Sequence, residues 1–197
     1  MAAPVRFLEA LPYFAGYEAE RLGALAPLFE ERSFGKGETI IWEGDPGEAL
    51  YFVAAGAVKC FKTSEEGKEQ ILHIVLPYDS FGDISALDGQ PSPVAAEAMT
   101  PVRAYALPRD RLERLMQEDR LFLENALGVL AQRTRHLLEL VEDLSFRHVI
   151  NRIARILVEY ASPAEHGARP KLTQQDMPAL SLIHISEPTR PLYISYA

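Results

Sequence analysis

The feature that most constrains this chain is a long apolar pattern over residues 119–144. Apolar residues recur there at alternating spacings of four and three, interrupted only by Thr134. That spacing predicts a single helix with a narrow apolar seam, as in a coiled coil. A helix of about 26 residues would be about 39 Å long, which is more than one small domain can cover. The predicted seam consists of Leu123, Leu127, Leu130, Thr134, Leu137, Val141 and Leu144.

The seam predicts a homodimer, because the same helix of a second copy would cover the apolar face. A second stripe, formed by Phe122, Ala126, Val129 and Leu138, is predicted to pack on the chain's own body, whereas Arg133 is predicted to stay in solvent. The alternative is an ordinary amphipathic helix of a monomer. The narrowness of the stripe favours the dimer.

Ahead of this helix, glycines separate short runs that are rich in β-forming residues. Regular short strands with turn residues between them predict a β-sandwich, β-roll or jelly roll. The predicted strands are 38–42, 49–54, 57–63, 69–76, 94–99 and 102–107. Residues 7–34 show helical periodicity, and 109–117 predict a short helix before the long one. The predicted fold class is therefore α+β, with a helical N-terminus and a β-roll.

After the long helix, Leu144, Ser145 and Phe146 form a candidate hinge, and 146–160 predict another amphipathic helix. Thr173, Gln174, Gln175 and Asp176 resemble a capping box, which predicts the start of one more helix. This divides the chain into a β-roll domain over 1–110, a helical segment over 111–144 and the start of a second domain over 145–179.

The stretch from Leu180 or Ser181 to the end has a different origin. It translates, codon by codon, a DNA string that resembles a transposon-end adapter used in sequencing libraries, and the reading frame holds to Ala197. We expect 180–197 to be an artefact and the natural chain to be cut inside the helix that Thr173 opens. His184 is therefore excluded as a ligand, as in any sequence scar.

Composition narrows the function classes. The formal net charge of -8 argues against a free-standing nucleic-acid binder, because phosphate binding needs concentrated Lys and Arg. Cys60 is the only cysteine, so the chain has no disulfide framework and no four-thiolate metal site. The sequence contains no apolar run of transmembrane length and no export signal, so we expect a cytoplasmic protein without a membrane partner.

The order of the predicted elements resembles that of the CRP/FNR family of bacterial transcription regulators. This order is a β-roll with glycines between its strands, a short helix, a long dimer helix, a hinge and an amphipathic helix. Motifs in several places carry the resemblance: Gly37-Glu38-Thr39-Ile40, Glu43-Gly44-Asp45, Tyr51-Phe52-Val53, Gly56-Ala57-Val58, Phe81-Gly82-Asp83-Ile84 and Leu172-Thr173-Gln174-Gln175-Asp176-Met177.

The resemblance implies that the β-roll is of the cyclic-nucleotide-binding type and senses a small molecule. It also implies that the long helix dimerises and that a winged helix-turn-helix beginning near Thr173 to Asp176 reads palindromic DNA. Half-sites one DNA turn apart need the fixed spacing that a two-fold coiled coil provides. We expect DNA binding of the full-length parent and no specific DNA binding by this fragment.

The resemblance also places a degenerate effector pocket at Gly82, Asp83, Ile84, Ser85, Ser92, Pro93, Leu137 and Leu138. Members of the family that bind cyclic nucleotides hold the ribose with a Glu and the phosphate with an Arg followed by Ser or Thr. Asp83, Ser92 and Pro93 stand at those positions here, and Leu137 and Leu138 replace the hydroxyl pair that contacts adenine.

No Lys or Arg occurs between Lys68 and Arg103, so a cyclic phosphate would find no cation in this segment. Cyclic AMP and cyclic GMP are therefore not expected to bind. A pocket with neutral, largely apolar walls and Asp83 as the nearest carboxylate would suit a neutral or cationic small molecule. An empty pocket in a constitutive regulator is the alternative.

Other functions have weaker support. A cupin-like enzyme needs a His-x-His pair, which is absent, and no nucleophile and base arrangement occurs, so no enzyme is expected. Cys60 and His73 are interpreted as core packing, so no metal or cofactor is expected. A stand-alone regulatory or interaction module remains the alternative, although the capping box at Thr173 argues against it.

Overall fold

The computed structural model describes residues 2–146. Its helices are α1 (Val5–Glu9), α2 (Ala19–Leu25), α3 (Asp83–Asp88), α4 (Arg109–Glu118) and α5 (Arg120–Phe146), with short 3₁₀ helices at Pro12–Phe14 and Ala26–Leu28. The predicted helix after Ser145, the DNA-binding start at Thr173, Gln174, Gln175 and Asp176, and the adapter-like stretch 180–197 lie outside the described residues. Within the described part of the chain, no helix is both long and apolar enough to cross a lipid bilayer.

The strands form two antiparallel four-stranded sheets, as expected of a β-roll. They are β1 (Glu30–Phe34), β2 (Thr39–Ile41), β3 (Ala49–Ala55), β4 (Val58–Thr63), β5 (Glu69–Val75), β6 (Ser80–Phe81), β7 (Ala95–Ala98) and β8 (Val102–Pro108). One sheet has the order β1-β8-β3-β6 and the other β2-β7-β4-β5. The six predicted strands are confirmed, and so is the α+β class.

Strands β3 and β8 have both faces covered, which explains why they are apolar along nearly their whole length. Leu50, Phe52, Tyr105 and Leu107 face a core shared with the helices. Val53 and its neighbours face a second core between the two sheets. The first sheet is therefore the middle layer of the molecule.

Three elements differ from the sequence-based prediction. Strand β1 falls inside the stretch predicted to be helical, and β6 and α3 were not predicted. The sequence of β1, Glu-Glu-Arg-Ser-Phe, has little intrinsic β-propensity, and the strand forms because it pairs with β8 from Glu30 opposite Ala106 to Phe34 opposite Val102. Long-range pairing, which local periodicity does not report, outweighs local preference here.

Helix α5 packs on the body through part of the predicted second stripe. Phe122 and Ala126 are buried, and Val129 packs against the same core. Leu138 does not belong to this stripe, because its side chain is 63% exposed. The prediction for Leu138 was wrong because its helical position lies on another side of α5 from the three packed residues.

Two backbone features position the segment that begins α3. Gly82 precedes the helix with φ 74°, in the left-handed region that glycine adopts without steric cost. Gly47 lies so close to α3 that an added Cβ would be 2.2 Å from the carbonyl carbon and oxygen of Ser85. These contacts hold the first turn of α3 against β3 and the loop before it.

Candidate functional site

The predicted pocket region contains an ion pair that joins the β-roll to the long helix. Asp83 opens α3 and is buried. The guanidinium of Arg133, on α5, donates a hydrogen bond from Nη1 to Asp83 Oδ2. A hydrogen bond between two charged groups is stronger than one between neutral groups. Asp83 is therefore already paired within the chain.

The other terminal nitrogen of Arg133 has three acceptors. Nη2 donates to Asp79 Oδ1 at 3.1 Å, to the Ser80 carbonyl oxygen at 2.5 Å and to Ser80 Oγ at 2.9 Å. We call the set formed by Asp79, Ser80 and Asp83 the guanidinium site. The Arg133 side chain is only 27% exposed, so the prediction that it stays in solvent was wrong.

The opposite charges of Arg133 and Asp79 stabilise the ionised form of each other. Burial acts to lower the pKa of Arg133, but the carboxylates of Asp83 and Asp79 outweigh burial and raise it. Burial acts to raise the pKa of Asp79, but the hydrogen bond and charge of His73 and the charge of Arg133 hold that pKa below its usual value. Asp79 and Arg133 are therefore both charged at neutral pH.

The charged side chains at the predicted pocket position differ from those that the sequence predicted. The predicted walls were neutral and largely apolar with Asp83 as the nearest carboxylate, whereas Asp79 supplies a second carboxylate and Arg133 a cation. The prediction failed because it counted cations only between Lys68 and Arg103, and Arg133 comes from an element 50 residues beyond Asp83.

The residues at the family's phosphate position are turned toward the backbone. Ser92 is buried, and its Oγ donates to the Val94 carbonyl oxygen at 2.8 Å. The backbone of Ser92 is bonded to Asp45 and Gly44. Pro93 is exposed. Neither residue carries a positive charge, and the expectation that a cyclic phosphate does not bind this loop stays a prediction.

The remaining predicted pocket residues divide into two groups. Gly82 and Ser85 lie at the start of α3 beside Asp83, and Ser85 is buried. Ile84 is exposed. Leu137 and Leu138 are also exposed within a single chain, so their place at the pocket stays a prediction.

Cys60 and His73 face each other across β4 and β5. Cys60 packs against the core between the sheets, and burial raises its pKa to about 12, so the thiol is protonated at neutral pH. His73 is not core packing, because its Nε2 lies 2.9 Å from Asp79 Oδ2 and the side chain is partly exposed. In residues 2–146 no group of three or more His, Cys, Asp or Glu side chains could hold a metal ion.

A sequence signal for Arg133 existed. Phe122, Ala126, Val129 and Arg133 follow one another at spacings of four, three and four, so Arg133 continues the stripe that packs on the body. An arginine at such a position needs acceptors, because a partly buried charge must be paired. The positions of Asp79 and Ser80 as those acceptors could not be found from periodicity.

Known proteins share this arrangement of roll and long helix. The cyclic nucleotide-binding domain family matches residues 31–119. The Thermus thermophilus cyclic AMP receptor protein is 32% identical over 152 residues, which cover 77% of this chain and 70% of that protein. The chain belongs to the CRP/FNR family.

Two further similar proteins show how much of the chain and of its relatives is matched. The CRP-like cAMP-activated global transcriptional regulator of Mycobacterium tuberculosis is 34% identical over 148 residues, or 75% of this chain and 66% of that regulator. The structure of FixK2 from Bradyrhizobium japonicum matches with a TM-score of 0.71 at 25% identity, covering 79% of this chain and 78% of FixK2. The chain therefore spans about two thirds of the length of the M. tuberculosis regulator.

Proposed function

We propose that this chain is the sensor and dimerisation part of a CRP/FNR transcription regulator that responds to a small-molecule effector other than a cyclic nucleotide. In this proposal two copies pair through α5, and DNA is read by the domain that begins near Thr173, Gln174, Gln175 and Asp176. The protein acts in the cytoplasm and catalyses no reaction. The similarity to the global transcriptional regulator of M. tuberculosis supports the proposal.

The exposed apolar stripe of α5 is the observation that carries the proposal. Leu123, Leu127, Leu137 and Val141 are 39%, 58%, 52% and 58% exposed in the single chain. The body covers a different side of the helix, through Phe122 and Ala126. Apolar side chains at a/d spacing that the chain itself leaves uncovered are suited to the same stripe of a second copy.

A regulator of this kind needs the two-fold pairing. A symmetric dimer presents two identical reading elements, and half-sites one helical turn apart require those elements at a fixed distance. Arg133 and the seam lie on the same helix, so a ligand that changes the hydrogen bonds of Arg133 acts on the dimer helix directly. The effector site and the interface are thus joined by one rigid element.

The chemistry of the pocket supports an effector that is not a cyclic nucleotide. A cyclic phosphate is an anion, and it would meet the carboxylates of Asp79 and Asp83. The only cation that contacts both of them among the described residues, Arg133, is already paired with them. Ser92 adds no positive charge, so the anion would enter a site with an excess of negative charge.

A charge placed in the seam tests the proposal. We expect the wild-type chain to sediment as a dimer at tens of micromolar and Leu127→Lys to sediment as a monomer, because two lysines would meet across an apolar interface. Leu130→Lys should act in the same direction, but Leu127 is the better choice because its greater exposure leaves the monomer core untouched.

Gln132→Lys is the matched control, since Gln132 is exposed on another side of α5 and receives the same charge. This variant should remain dimeric. A wild-type chain that stays monomeric over the concentration range, or a Leu127→Lys variant that remains dimeric, would contradict pairing through this stripe.

A further inference from the structure

A strained turn over residues 76–79 joins β5 to β6. The Asp79 N–H donates to the Leu76 carbonyl oxygen at 3.0 Å, and Pro77 occupies the second position. Tyr78, at the third position, has φ 71°, and no other residue except glycine has a positive φ in the described part of the chain. Glycine is favoured at this position, because the Cβ of other residues is crowded in the left-handed region. The conformation of Tyr78 therefore needs compensation from its surroundings.

Two backbone hydrogen bonds attach the turn to β3. The Tyr78 N–H donates to the Val53 carbonyl oxygen at 2.8 Å, and the Val53 N–H donates to the Asp79 carbonyl oxygen at 2.9 Å. Strand β3 belongs to the first sheet, whose outer face is covered by the helices. The turn thus lies at the border between the β-roll and the helical layer.

The ring of Tyr78 contacts the N-terminal helix. Its centroid is 5.4 Å from that of Phe7 in α1, and the Phe7 ring is in turn 4.9 Å from the ring of Tyr105 in β8. Tyr78 packs against the core that the first sheet shares with the helices. Aromatic pairs at these distances are favourable beyond their burial. A contact that compensates the strained turn is therefore made with α1.

Helix α1 depends on this packing, because its own hydrogen bonds cannot hold it. It has five residues, Val5–Glu9, and no side-chain cap. Isolated helices shorter than about 12–15 residues are marginal in water. Its buried residues are Phe7 and Leu8, and Phe7 is the one whose ring contacts Tyr78. Undocking of α1 would therefore also remove the compensation for the strain at Tyr78.

We infer that Tyr78 is a latch that holds α1 on the β-roll, and that α1 and the turn at Tyr78 form a two-state element. In one state α1 is docked and Tyr78 keeps its positive φ. In the other state α1 has left, and the turn relaxes because the contact that offset its strain is lost. Relaxation would also shift Asp79, which directly follows Tyr78 and contacts His73. The inference goes beyond the proposed function and requires neither a dimer nor an effector.

Hydrogen exchange on the full chain tests the inference. The reporters are the amides of Leu8 and Ala10, which donate to the carbonyl oxygens of Pro4 and Phe7 in and beside α1. In the wild type, we expect these amides to exchange through an opening that low urea hardly changes, because undocking of α1 exposes little surface. The amides of β4 should exchange through a larger opening that depends strongly on urea.

Three substitutions at Tyr78 separate the ring from the strain. Tyr78→Ala removes the ring and keeps the Cβ, so the opening constant of α1 should rise at least about tenfold. Tyr78→Gly removes both, so the docked state is no longer strained and the constant should be at least about threefold lower than in Tyr78→Ala. Tyr78→Phe keeps the ring, and its constant should stay within about threefold of the wild type.

Gly37→Ala is the matched control. Gly37 has φ 80° and no atom within 4 Å of an added Cβ, so this variant introduces the same kind of strain away from α1. It should lower the urea midpoint and leave the opening constant of α1 unchanged. A rise in that constant would mean that α1 does not open independently, which overturns the two-state element.

The comparison of Tyr78→Ala with Tyr78→Gly separates a latch from ordinary packing. Equal opening constants would mean that the turn stays strained when α1 leaves, and an unchanged constant in Tyr78→Ala would mean that the ring does not hold α1. Either result overturns the inference. If Tyr78→Ala fails to fold, Phe7→Leu removes the other ring of the contact, and an unchanged opening constant there has the same consequence. None of these residues lies in the α5 seam, so failure of the latch leaves the proposed function standing.

Discussion

Single side chains decide how α5 joins the body, and Asp119 is the clearest case. Asp119 precedes α5, and its Oδ1 accepts a hydrogen bond from the Phe122 backbone N–H at 3.2 Å. Its Oδ2 lies 3.2 Å from Arg21 Nη2. The carboxylate therefore caps the N-terminus of α5, directly after the end of α4.

Asp119→Ala should lower the free energy of unfolding by about 1–2 kcal/mol, because Ala cannot satisfy the exposed N–H groups of the first turn. Urea titration followed by circular dichroism measures the change. Glu118→Ala, at an exposed neighbouring carboxylate, is the control and should change the free energy of unfolding by less than about 0.5 kcal/mol. Equal losses in the two variants would show that the cap does not stabilise α5.

The same carboxylate predicts a pH dependence. Burial acts to raise the pKa of Asp119, but the Tyr17 hydroxyl, the Phe122 amide and Arg21 outweigh it and hold the pKa below its usual value. A carboxyl whose pKa is lower in the folded than in the unfolded chain stabilises fully above about pH 4 and loses this effect as the pH falls through the folded value. The difference in Tm between wild type and Asp119→Asn should therefore be largest at neutral pH and shrink below about pH 4.

At the scale of elements, the position of α3 depends on its close approach to the loop before β3. Gly47 lies in that loop, and a Cβ there would be 2.2 Å from the Ser85 backbone. Because α3 carries Asp83, a shift of this helix also changes the guanidinium site. The loop and the site are therefore linked by backbone packing.

Two glycine substitutions should change the free energy of unfolding in opposite directions. Gly47→Ala should destabilise the chain by about 1–3 kcal/mol, because the new Cβ meets backbone that cannot rotate away. Gly128→Ala should stabilise it by about 1 kcal/mol, because Gly128 is exposed inside α5 with no atom within 4 Å of an added Cβ, and Ala is the better helix former. Urea midpoints measure both, and a neutral Gly47→Ala would contradict the close approach.

At the scale of the whole molecule, the β-roll, the guanidinium site and α5 form one connected structure. Asp79, Ser80 and Asp83 belong to the roll, and Arg133 belongs to the helix that carries the proposed interface. If the proposed dimer and effector site exist, ligand selectivity and dimer geometry depend on the same hydrogen bonds. The net charge of -8 adds a field that disfavours anionic ligands.

Cyclic AMP and cyclic GMP should show no binding in the micromolar range by calorimetry, even at low salt, where electrostatic attraction is least screened. Ser92→Arg combined with Pro93→Ser should restore some affinity, because it supplies the cation and hydroxyl of the cyclic-nucleotide-binding members. Asp83→Ala in the same background is the control and should remove that gain, if the carboxylate holds the ribose. Saturable micromolar binding to the wild type would contradict the assignment of a degenerate pocket.

The sequence by itself determined the elements whose patterns are local. The six strands 38–42 to 102–107 have β-rich runs between glycines, and residues 119–144 have a sustained 4-3 spacing, so each was predicted from its own segment. The order of these elements and their motifs were enough to indicate the CRP/FNR family. The seam remains a prediction for the dimer, supported by exposed Leu127 and Val141.

Only the tertiary structure decided the features that depend on distant partners. Strand β1 exists because it pairs with β8, and Arg133 is a site residue because α5 brings it to Asp83, 50 positions earlier in the chain. Periodicity reports which face of an element is apolar, but it carries no information on which acceptors a distant element presents. The pocket was therefore predicted neutral, and the folded chain makes it a site of two carboxylates closed by an arginine.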